Sequence, residues 1–277
     1  MTTSRDIIQT SMGQLASDGD GVRLTRMVGS PDVNMVDPFL LLDAFGSDQP
    51  GDYIGGFPSH PHRGFETVTY LLAGRMRHKD SAGHEGVIEP GGVQWMTAGR
   101  GVVHSEMPEQ ENGLLAGFQL WVNLPASHKM TDPAYQEFPA SEIPVEHLAS
   151  GGSVKVIAGQ TDQGTVGPAQ IATTKPLFFD VSLPPDASFR QAVPSSYGGF
   201  LSVLEGHIQG STDVSANMVG VLGDGDHIDV VAGPTGARFL LIAGIQLNEP
   251  VARGGPFVMN TKTEILQAFE DYQQGRF

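Results

Sequence analysis

The sequence predicts an all-β protein built from two similar barrels in tandem. Its 277 residues include 36 glycines and 19 prolines, so turns are frequent and long helices are rare. Short runs rich in valine, isoleucine, phenylalanine and tyrosine recur between these breaks, for example TVTYLLAG (67–74) and PLFFDVSLP (176–184). Runs of this length and spacing are typical of the strands of a sandwich or a barrel.

Two pairs of segments indicate an internal repeat. The segment TYLLAGRMRH (69–78) is echoed by SVLEGHIQG (202–210), since each is a strand that closes on a glycine before a second short run. In the same way, IEPGGVQWMTAG (88–99) is echoed by LGDGDHIDVVAG (222–233). Two copies of one β unit imply two similar barrels.

A proline-rich segment from about Leu124 to Gly152 separates the two halves and closes with two glycines. Such a composition is typical of a connection between domains. We therefore expect a first domain over residues 1–130, a linker over 131–152 and a second domain over 153–277.

The tail TKTEILQAFEDYQQGRF is the only stretch with a clear helical pattern. Thr261 or Thr263 can cap its first turn, and apolar residues recur at spacings of three and four. The predicted apolar face consists of Ile265, Leu266, Phe269 and Tyr272. We expect a short helix packed on the surface of a β domain.

Composition and charge exclude several classes of partner. Asp and Glu number 31 against 16 Lys and Arg, and the resulting net charge of -15 opposes direct binding to nucleic acid or to anionic membranes. The chain has no cysteine, which excludes disulfides and thiolate metal sites. No apolar run approaches the about 20 residues of a membrane span, and the N-terminus lacks the apolar core of a signal peptide. We expect a cytoplasmic protein.

Two pairs of potential metal ligands stand out. His60 and His62 are two residues apart, and so are His104 and Glu106. Residues two apart project from the same face of a strand, so four ligands would converge if the two strands are neighbours. Either pair alone could be a coincidence, but together they favour a site for iron, manganese, cobalt, nickel, copper or zinc over one for calcium or magnesium.

Glu66 is an acidic residue at even spacing from His62, and it would share the face of His62 in a regular strand. Three roles are open for it: a fifth ligand, an acceptor for an imidazole N–H, or a charge at a strand edge. The second role is the favoured one.

The remaining histidines are predicted to lie outside the site. His78 and His84 flank a polar turn and are expected to be exposed, while the others fall in the linker or in turns of the second half: His128, His147, His207 and His227. Aligning the glycines that close the echoed strands places Ala192 and Pro194 opposite the first histidine pair. The second half is therefore expected to lack metal ligands.

Four segments of the chain resemble the pirin family, two-domain members of the cupin superfamily. They are HPHRGFETVTYLLAG (60–74), GGVQWMTAGRGVVHSEMPE (91–109), QLWVNLPASHKMTDPAYQ (119–136) and GPFVMNTKTEILQAFEDYQQGRF (255–277). The resemblance spans nearly the whole chain. It implies two tandem cupin barrels, which are double-stranded β-helices of the jelly-roll type, followed by a short C-terminal helix.

The resemblance also implies a ligand set. An N-terminal cupin would hold one divalent ion, with Fe(II) favoured, through His60, His62, His104 and Glu106, and the C-terminal cupin would hold none. A typical cupin takes its acidic ligand from the position of Glu66, whereas pirins take it from the second motif.

The implied activity is that of a quercetin 2,3-dioxygenase, which opens a flavonol-like ring with dioxygen and releases carbon monoxide. Glu106 would be the catalytic residue, because it could leave the metal and accept the substrate hydroxyl proton. The mouth is expected to be lined by Phe57, Val68, Trp95 and Met107. The alternative is an iron-containing redox sensor that regulates a protein partner, a transcription factor or a metabolic enzyme, without catalysis, and a nuclear location if the source is eukaryotic.

Overall fold

The computed structural model describes residues 3–277, and these residues form 22 β-strands, one α-helix and three short 3-10 turns. The strands are β1 Ile7–Met12, β2 Gln14–Asp18, β3 Val22–Val28, β4 Phe39–Ser47, β5 Phe57–His62, β6 Phe65–Ala73, β7 Met76–Asp80, β8 Glu85–Ile88, β9 Val93–Thr97, β10 Val102–Pro108, β11 Leu115–Asn123, β12 Ala134–Phe138, β13 Val145–His147, β14 Ser153–Ala158, β15 Leu177–Leu183, β16 Ser188–Ala192, β17 Tyr197–Gln209, β18 Val214–Ser215, β19 Met218–Leu222, β20 His227–Ile245, β21 Ala252–Gly254 and β22 Phe257–Met259. The helix, α1, spans Lys262–Gln273, and the 3-10 turns span Pro50–Asp52, Ala126–His128 and Ala140–Glu142. The prediction of an all-β fold with a short C-terminal helix is confirmed.

The chain forms two compact units, each assembled from three stretches of sequence. The N-terminal unit comprises residues 15–26, 39–140 and 247–277, and the C-terminal unit comprises residues 3–14, 27–38 and 141–246. This division differs from the predicted boundaries. Residues 3–14 and 27–38, which were expected in the first domain, belong to the C-terminal unit. The tail from Leu247 belongs to the N-terminal unit, where the Val258 N–H donates to the Arg63 carbonyl oxygen (3.0 Å). The predicted linker, residues 131–152, contains strands β12 and β13.

The N-terminal unit contains a seven-stranded sheet and a four-stranded sheet. Their strand orders are β12-β9-β6-β11-β4-β3-β2 and β5-β10-β7-β8. One core cluster draws side chains from both sheets: Leu24, Phe45, Tyr53, Leu71, Met76, Ile88 and Leu115. The two sheets therefore pack face to face and bury the apolar sides of their strands between them.

The C-terminal unit is one nine-stranded sheet that curls on itself. Its main path is β1-β19-β17-β20-β15-β14-β13, while β16 pairs with β20 and β18 pairs with β17. The long strands β17 and β20 lose register on either side of Gly206, whose φ is 68°. Each of them can therefore contribute its two ends to different faces of the curled sheet.

The internal repeat is correct for its first pair of segments and wrong for its second. Gly74 and Gly206 both have left-handed backbone conformations, with φ of 81° and 68°. Gly74 directly follows β6, whereas Gly206 lies within β17, where the register with β20 shifts. Strand β9, which lies within 88–99, pairs with β6 in the N-terminal unit. The strand that pairs with β17 in the same way in the C-terminal unit is β19. The segment 222–233 instead covers the start of β20, so the second echo is displaced by one strand.

Helix α1 begins at the predicted cap. The Thr261 hydroxyl accepts the Glu264 N–H while the Glu264 carboxylate accepts the Thr261 N–H, which forms a capping box. Ile265 and Ala268 are buried, but Leu266 is 69% exposed and does not belong to the packed face. Within residues 3–277, no helix combines the length and the apolar character needed to span a membrane.

A buried lysine fastens the turn that follows β5. The Lys129 ammonium group donates to the carbonyl oxygens of Gly64 (2.8 Å) and Val258 (3.0 Å) and to Asn123 Oδ1 (2.7 Å). Burial lowers the pKa of Lys129 to about 8. The three acceptors offset part of the cost of burying the charge, and they join the turn to the tail strand β22.

Replacing this lysine is expected to destabilise the fold. Lys129→Met keeps the length of the side chain but leaves three buried oxygens without their donor, and each such loss costs about 1–3 kcal/mol. We expect the free energy of unfolding, measured in urea, to fall by about 3 kcal/mol. Lys155→Met, a half-buried lysine on β14, serves as the control and should change it by about 0.5 kcal/mol or less. Equal effects of the two changes would contradict the role of Lys129.

The lysine also predicts a pH dependence of stability. The folded chain releases the Lys129 proton near pH 8, whereas the unfolded chain keeps it until its ordinary pKa of 10.5. The unfolded state binds more protons between these values, so stability attributable to the amine rises with pH across that window. The difference in unfolding free energy between wild type and Lys129→Met should widen from pH 8 to pH 10.5. A constant difference would show that this amine does not titrate there.

Candidate metal centre

The two histidine-bearing strands are antiparallel neighbours, as the sequence predicts. His60 on β5 lies directly opposite His104 on β10, and His62 lies opposite Val102. A bulge follows His104, so Glu106 is opposite Phe57. The strand geometry thus brings the two predicted ligand pairs to one region of the four-stranded sheet.

Three imidazoles form a compact cluster. One nitrogen of each of His60, His62 and His104 lies within 4.8 Å of the others. The ring centroids are separated by 4.6 Å for His60 and His62, 4.4 Å for His60 and His104, and 5.0 Å for His62 and His104. His62 and His104 are buried, whereas His60 is half-buried and marks the side from which the cluster can be reached.

The tautomers of the first pair are fixed by backbone carbonyl groups. The His60 Nδ1–H donates to the Pro58 carbonyl oxygen (2.8 Å), and the His62 Nδ1–H points to the Pro256 carbonyl oxygen (3.4 Å). The two Nε2 atoms then carry lone pairs, yet they lie only 3.0 Å apart. A cation between them removes this repulsion, and ligands at right angles on an ion with bonds of about 2.1 Å are also about 3.0 Å apart.

His104 supplies a third unprotonated nitrogen. Its Nε2 atom is buried and has no hydrogen-bond partner among residues 3–277, while its Nδ1 lies 3.4 Å from His78 Nδ1. Burial lowers the pKa of His62 to about 3, and burial together with the neighbouring imidazoles lowers the pKa of His104 well below its ordinary value. Both rings are neutral at pH 7, which is the form that binds a metal ion. The donor set and its geometry fit a transition metal.

Glu106 is buried beside this cluster but is not one of its three members. Its Oε1 accepts a hydrogen bond from the Thr69 hydroxyl (2.8 Å), and its Oε2 accepts one from Gln119 Nε2 (3.3 Å). These two donors come from β6 and β11 of the facing sheet. These hydrogen bonds hold the Glu106 carboxylate in place. The assignment of Glu106 as a fourth metal ligand stays a prediction.

The favoured role of Glu66 is wrong. Its Oε1 accepts from the Thr97 hydroxyl (2.8 Å) rather than from an imidazole. The reason is the turn at Gly64, with φ of 90°, which ends β5 before β6 begins and breaks the spacing on which the shared face depended. Thr69 points toward Glu106, so Glu66, three residues away on β6, lies on the opposite face of the strand.

The expected exposure of His78 is also wrong, whereas that of His84 is correct. His78 is fully buried, its ring centroid lies 4.9 Å from that of Tyr135, and burial lowers its pKa. The alternation of β7 carried a signal for this, because Met76, His78 and Asp80 are all buried at period two. The polar composition of the adjoining turn concealed that pattern.

The aromatic residues at the cluster differ from those predicted for its mouth. The rings of Phe65 and Trp121 lie 5.0 Å and 5.2 Å from the His62 ring, and 4.3 Å from each other. Val68 and Trp95 are opposite each other on the strand faces turned away from Thr69, where they are fully buried. Both belong to the core and not to the mouth.

Comparisons with known proteins cover nearly the whole chain. The family described as Pirin matches residues 21–122, and the Pirin C-terminal cupin domain matches residues 178–277. A pirin-like protein of Caulobacter vibrioides is 55% identical over 274 residues, covering 99% of both proteins, and human pirin is 41% identical over all of this chain and 95% of its own length. The crystal structure of a quercetin 2,3-dioxygenase from Acinetobacter baumannii has a TM-score of 0.91, 34% identity and 99% coverage of each chain. The predicted pair of cupin domains is confirmed.

The cluster predicts which side chains control metal content. We expect His60→Ala and His104→Ala to lower the metal retained after anaerobic loading with Fe(II) at least about tenfold, as measured by inductively coupled plasma mass spectrometry. His84→Ala removes an exposed histidine of the same unit and should leave metal content unchanged. Glu106→Gln tests the fourth ligand in the same assay. Full metal content in both cluster variants would place the metal elsewhere.

Proposed function

The chain belongs to the pirin family, and we propose on that premise that it is an iron-dependent dioxygenase that opens a flavonol-like ring and releases carbon monoxide. The observation that carries the proposal is the pair of facing His60 and His62 Nε2 atoms, 3.0 Å apart, with a third unpartnered nitrogen on His104. Support for the substrate class comes from the A. baumannii quercetin 2,3-dioxygenase, which is 34% identical across 99% of the chain.

In this proposal His60, His62, His104 and Glu106 hold the ion. Fe(II) at this position would supply a Lewis acid for a substrate oxygen and a place at which dioxygen meets the ring. Three imidazole ligands and one carboxylate would leave a divalent ion with a net positive charge, which would favour an ionised substrate hydroxyl.

Glu106 is assigned a second role as the acceptor of the substrate hydroxyl proton. The Thr69 hydroxyl and the Gln119 amide hold its carboxylate beside the cluster, within reach of a substrate hydroxyl group that approaches the histidines. The burial of this carboxylate keeps bulk water from competing for the proton.

Trp121 is assigned to the aromatic part of the substrate, and the fully buried Phe65 packs behind it. Their rings lie against the His62 ring, and Trp121 is only half-buried. A flat polyphenol that enters past His60 can pack against the indole while its hydroxyl group approaches the cluster. Substrates without an aromatic system would lose this contact.

The activity is tested by loading the protein with Fe(II) under anaerobic conditions, adding quercetin and then air. We expect the flavonol absorbance to fall while carbon monoxide appears in proportion. No turnover, together with binding of a protein partner that differs between ferrous and ferric forms, would replace the proposal with the regulatory alternative.

A substitution of the Glu106 carboxylate tests its role as proton acceptor separately from its role in the structure. Glu106→Gln keeps the shape of the side chain but replaces one acceptor oxygen with an NH2 donor and cannot accept the proton, so kcat should fall by about 10²-fold or more. Glu85→Gln, which alters a partly exposed carboxylate on β8, should have wild-type kcat. Metal content is measured in both variants, and a Glu106→Gln protein with normal iron and normal kcat would refute the role of Glu106.

A further inference from the structure

The C-terminal unit contains a cavity of about 650 Å³ at the end of β16. All of its lining residues belong to this unit, and its walls come from the loop between β14 and β15 and from the start of β17. The volume lies within the range of about 300–1,000 Å³ that is typical of sites for small organic ligands.

The cavity has, within its own unit, the topological position that the histidine cluster has in the other. Strand β16 pairs with the start of β20 as β5 pairs with β10. The last residue of β16, Ala192, lies opposite His227, as the last residue of β5, His62, lies opposite Val102. Ala192 and Pro194 both line the cavity, so small and apolar side chains open the space at the end of this strand.

Two polar side chains of the lining have no partner among residues 3–277. The Lys175 ammonium group forms no ion pair or hydrogen bond there, and the residue has a left-handed φ of 42°, a costly conformation for a lysine. The Tyr197 hydroxyl likewise has no hydrogen bond, and burial raises the pKa of this phenol, which stays a donor at neutral pH.

The other lining groups are apolar or already engaged. Val166, Ile171 and Leu177 provide hydrocarbon surface. The carboxylate of Asp162 accepts the Ala192 N–H at both oxygens (3.1 and 3.0 Å), and its Oδ1 also accepts from Gln191 Nε2 (3.1 Å). Lys175, which is exposed, and Tyr197, which is half-buried, are thus the two groups of the lining that are free to bind a ligand.

We propose that this cavity binds a small aromatic carboxylate. The ring packs against the apolar wall, and the carboxylate accepts hydrogen bonds from the Lys175 ammonium group and the Tyr197 hydroxyl. The net charge of -15 disfavours the binding of anions over most of the protein surface. The unpaired Lys175 cation beside an apolar wall therefore marks this cavity as the place where an aromatic carboxylate can bind.

Calorimetry with 2-naphthoate on the full-length protein tests the proposal. We expect saturable binding with one ligand per chain, and at least about tenfold weaker binding of 2-naphthol, which has the same rings without the carboxylate. Lys175→Gln should weaken binding of 2-naphthoate about tenfold and Tyr197→Phe several-fold. Lys155→Gln removes a charge elsewhere in the unit and should not change the affinity. Equal affinity for the two ligands, or no saturable binding, would overturn the proposal.

A second variant fixes the location of the ligand. Ala192 is exposed at the cavity, so Ala192→Trp fills the space without disturbing the core, which the unfolding midpoint verifies. We expect this change to abolish binding of 2-naphthoate, and His60→Ala to leave the affinity unchanged. Binding that survives Ala192→Trp, or that is lost in His60→Ala, would place the ligand elsewhere and overturn the assignment.

Discussion

The turn at Arg63 and Gly64 is the constraint on which the candidate metal site depends. A side chain at Gly64 would place its Cβ atom 2.0 Å from the Val258 carbonyl oxygen, so only glycine allows this approach. The carbonyl groups of Gly64 and Val258 both accept a hydrogen bond from the Lys129 ammonium group, and the Arg63 guanidinium pairs with Asp271 (2.7 Å). The turn lets the chain leave β5 in one sheet and enter β6 in the other, and this step sets His62 and the Glu106-binding face of β6 toward each other.

The atoms around the cluster determine which nitrogens are available. Burying imidazoles and a carboxylate is costly unless their polar atoms are satisfied. The carbonyl groups of Pro58 and Pro256 satisfy the outer nitrogens of two rings, and Thr69 satisfies one oxygen of Glu106. What remains unsatisfied is the set of Nε2 atoms that face one another, so the fold directs its remaining acceptors to a single point. The direction of these nitrogens is set by the carbonyl and hydroxyl groups around the cluster more than by the histidines themselves.

Local patterns in the sequence predict what depends on local geometry. The strands, the helix cap at Thr261 and the meeting of two histidine-bearing strands follow from residue periodicity and turn composition. The position of Glu66 does not, because it depends on a turn that is stabilised by Lys129, a residue far along the chain. The burial of His78 and the placement of the tail depend likewise on long-range pairing, which no short window of sequence contains. The expected lining of the mouth is wrong for Val68 and Trp95 because β6 and β9 each have two buried faces, and composition does not distinguish them.

The two units show that the cupin architecture does not depend on the histidine cluster. Both units turn from an outer strand into a central strand with a left-handed glycine, Gly74 just after β6 and Gly206 within β17. In the first, histidines and carbonyl groups fill the space at the end of the outer strand, and in the second, Ala192 and Pro194 leave it open. The strand pairing and the core packing do not require the ligands, since the apolar faces alone stabilise each unit. The space at the end of the outer strand can therefore differ between the units while the strand pairing stays the same.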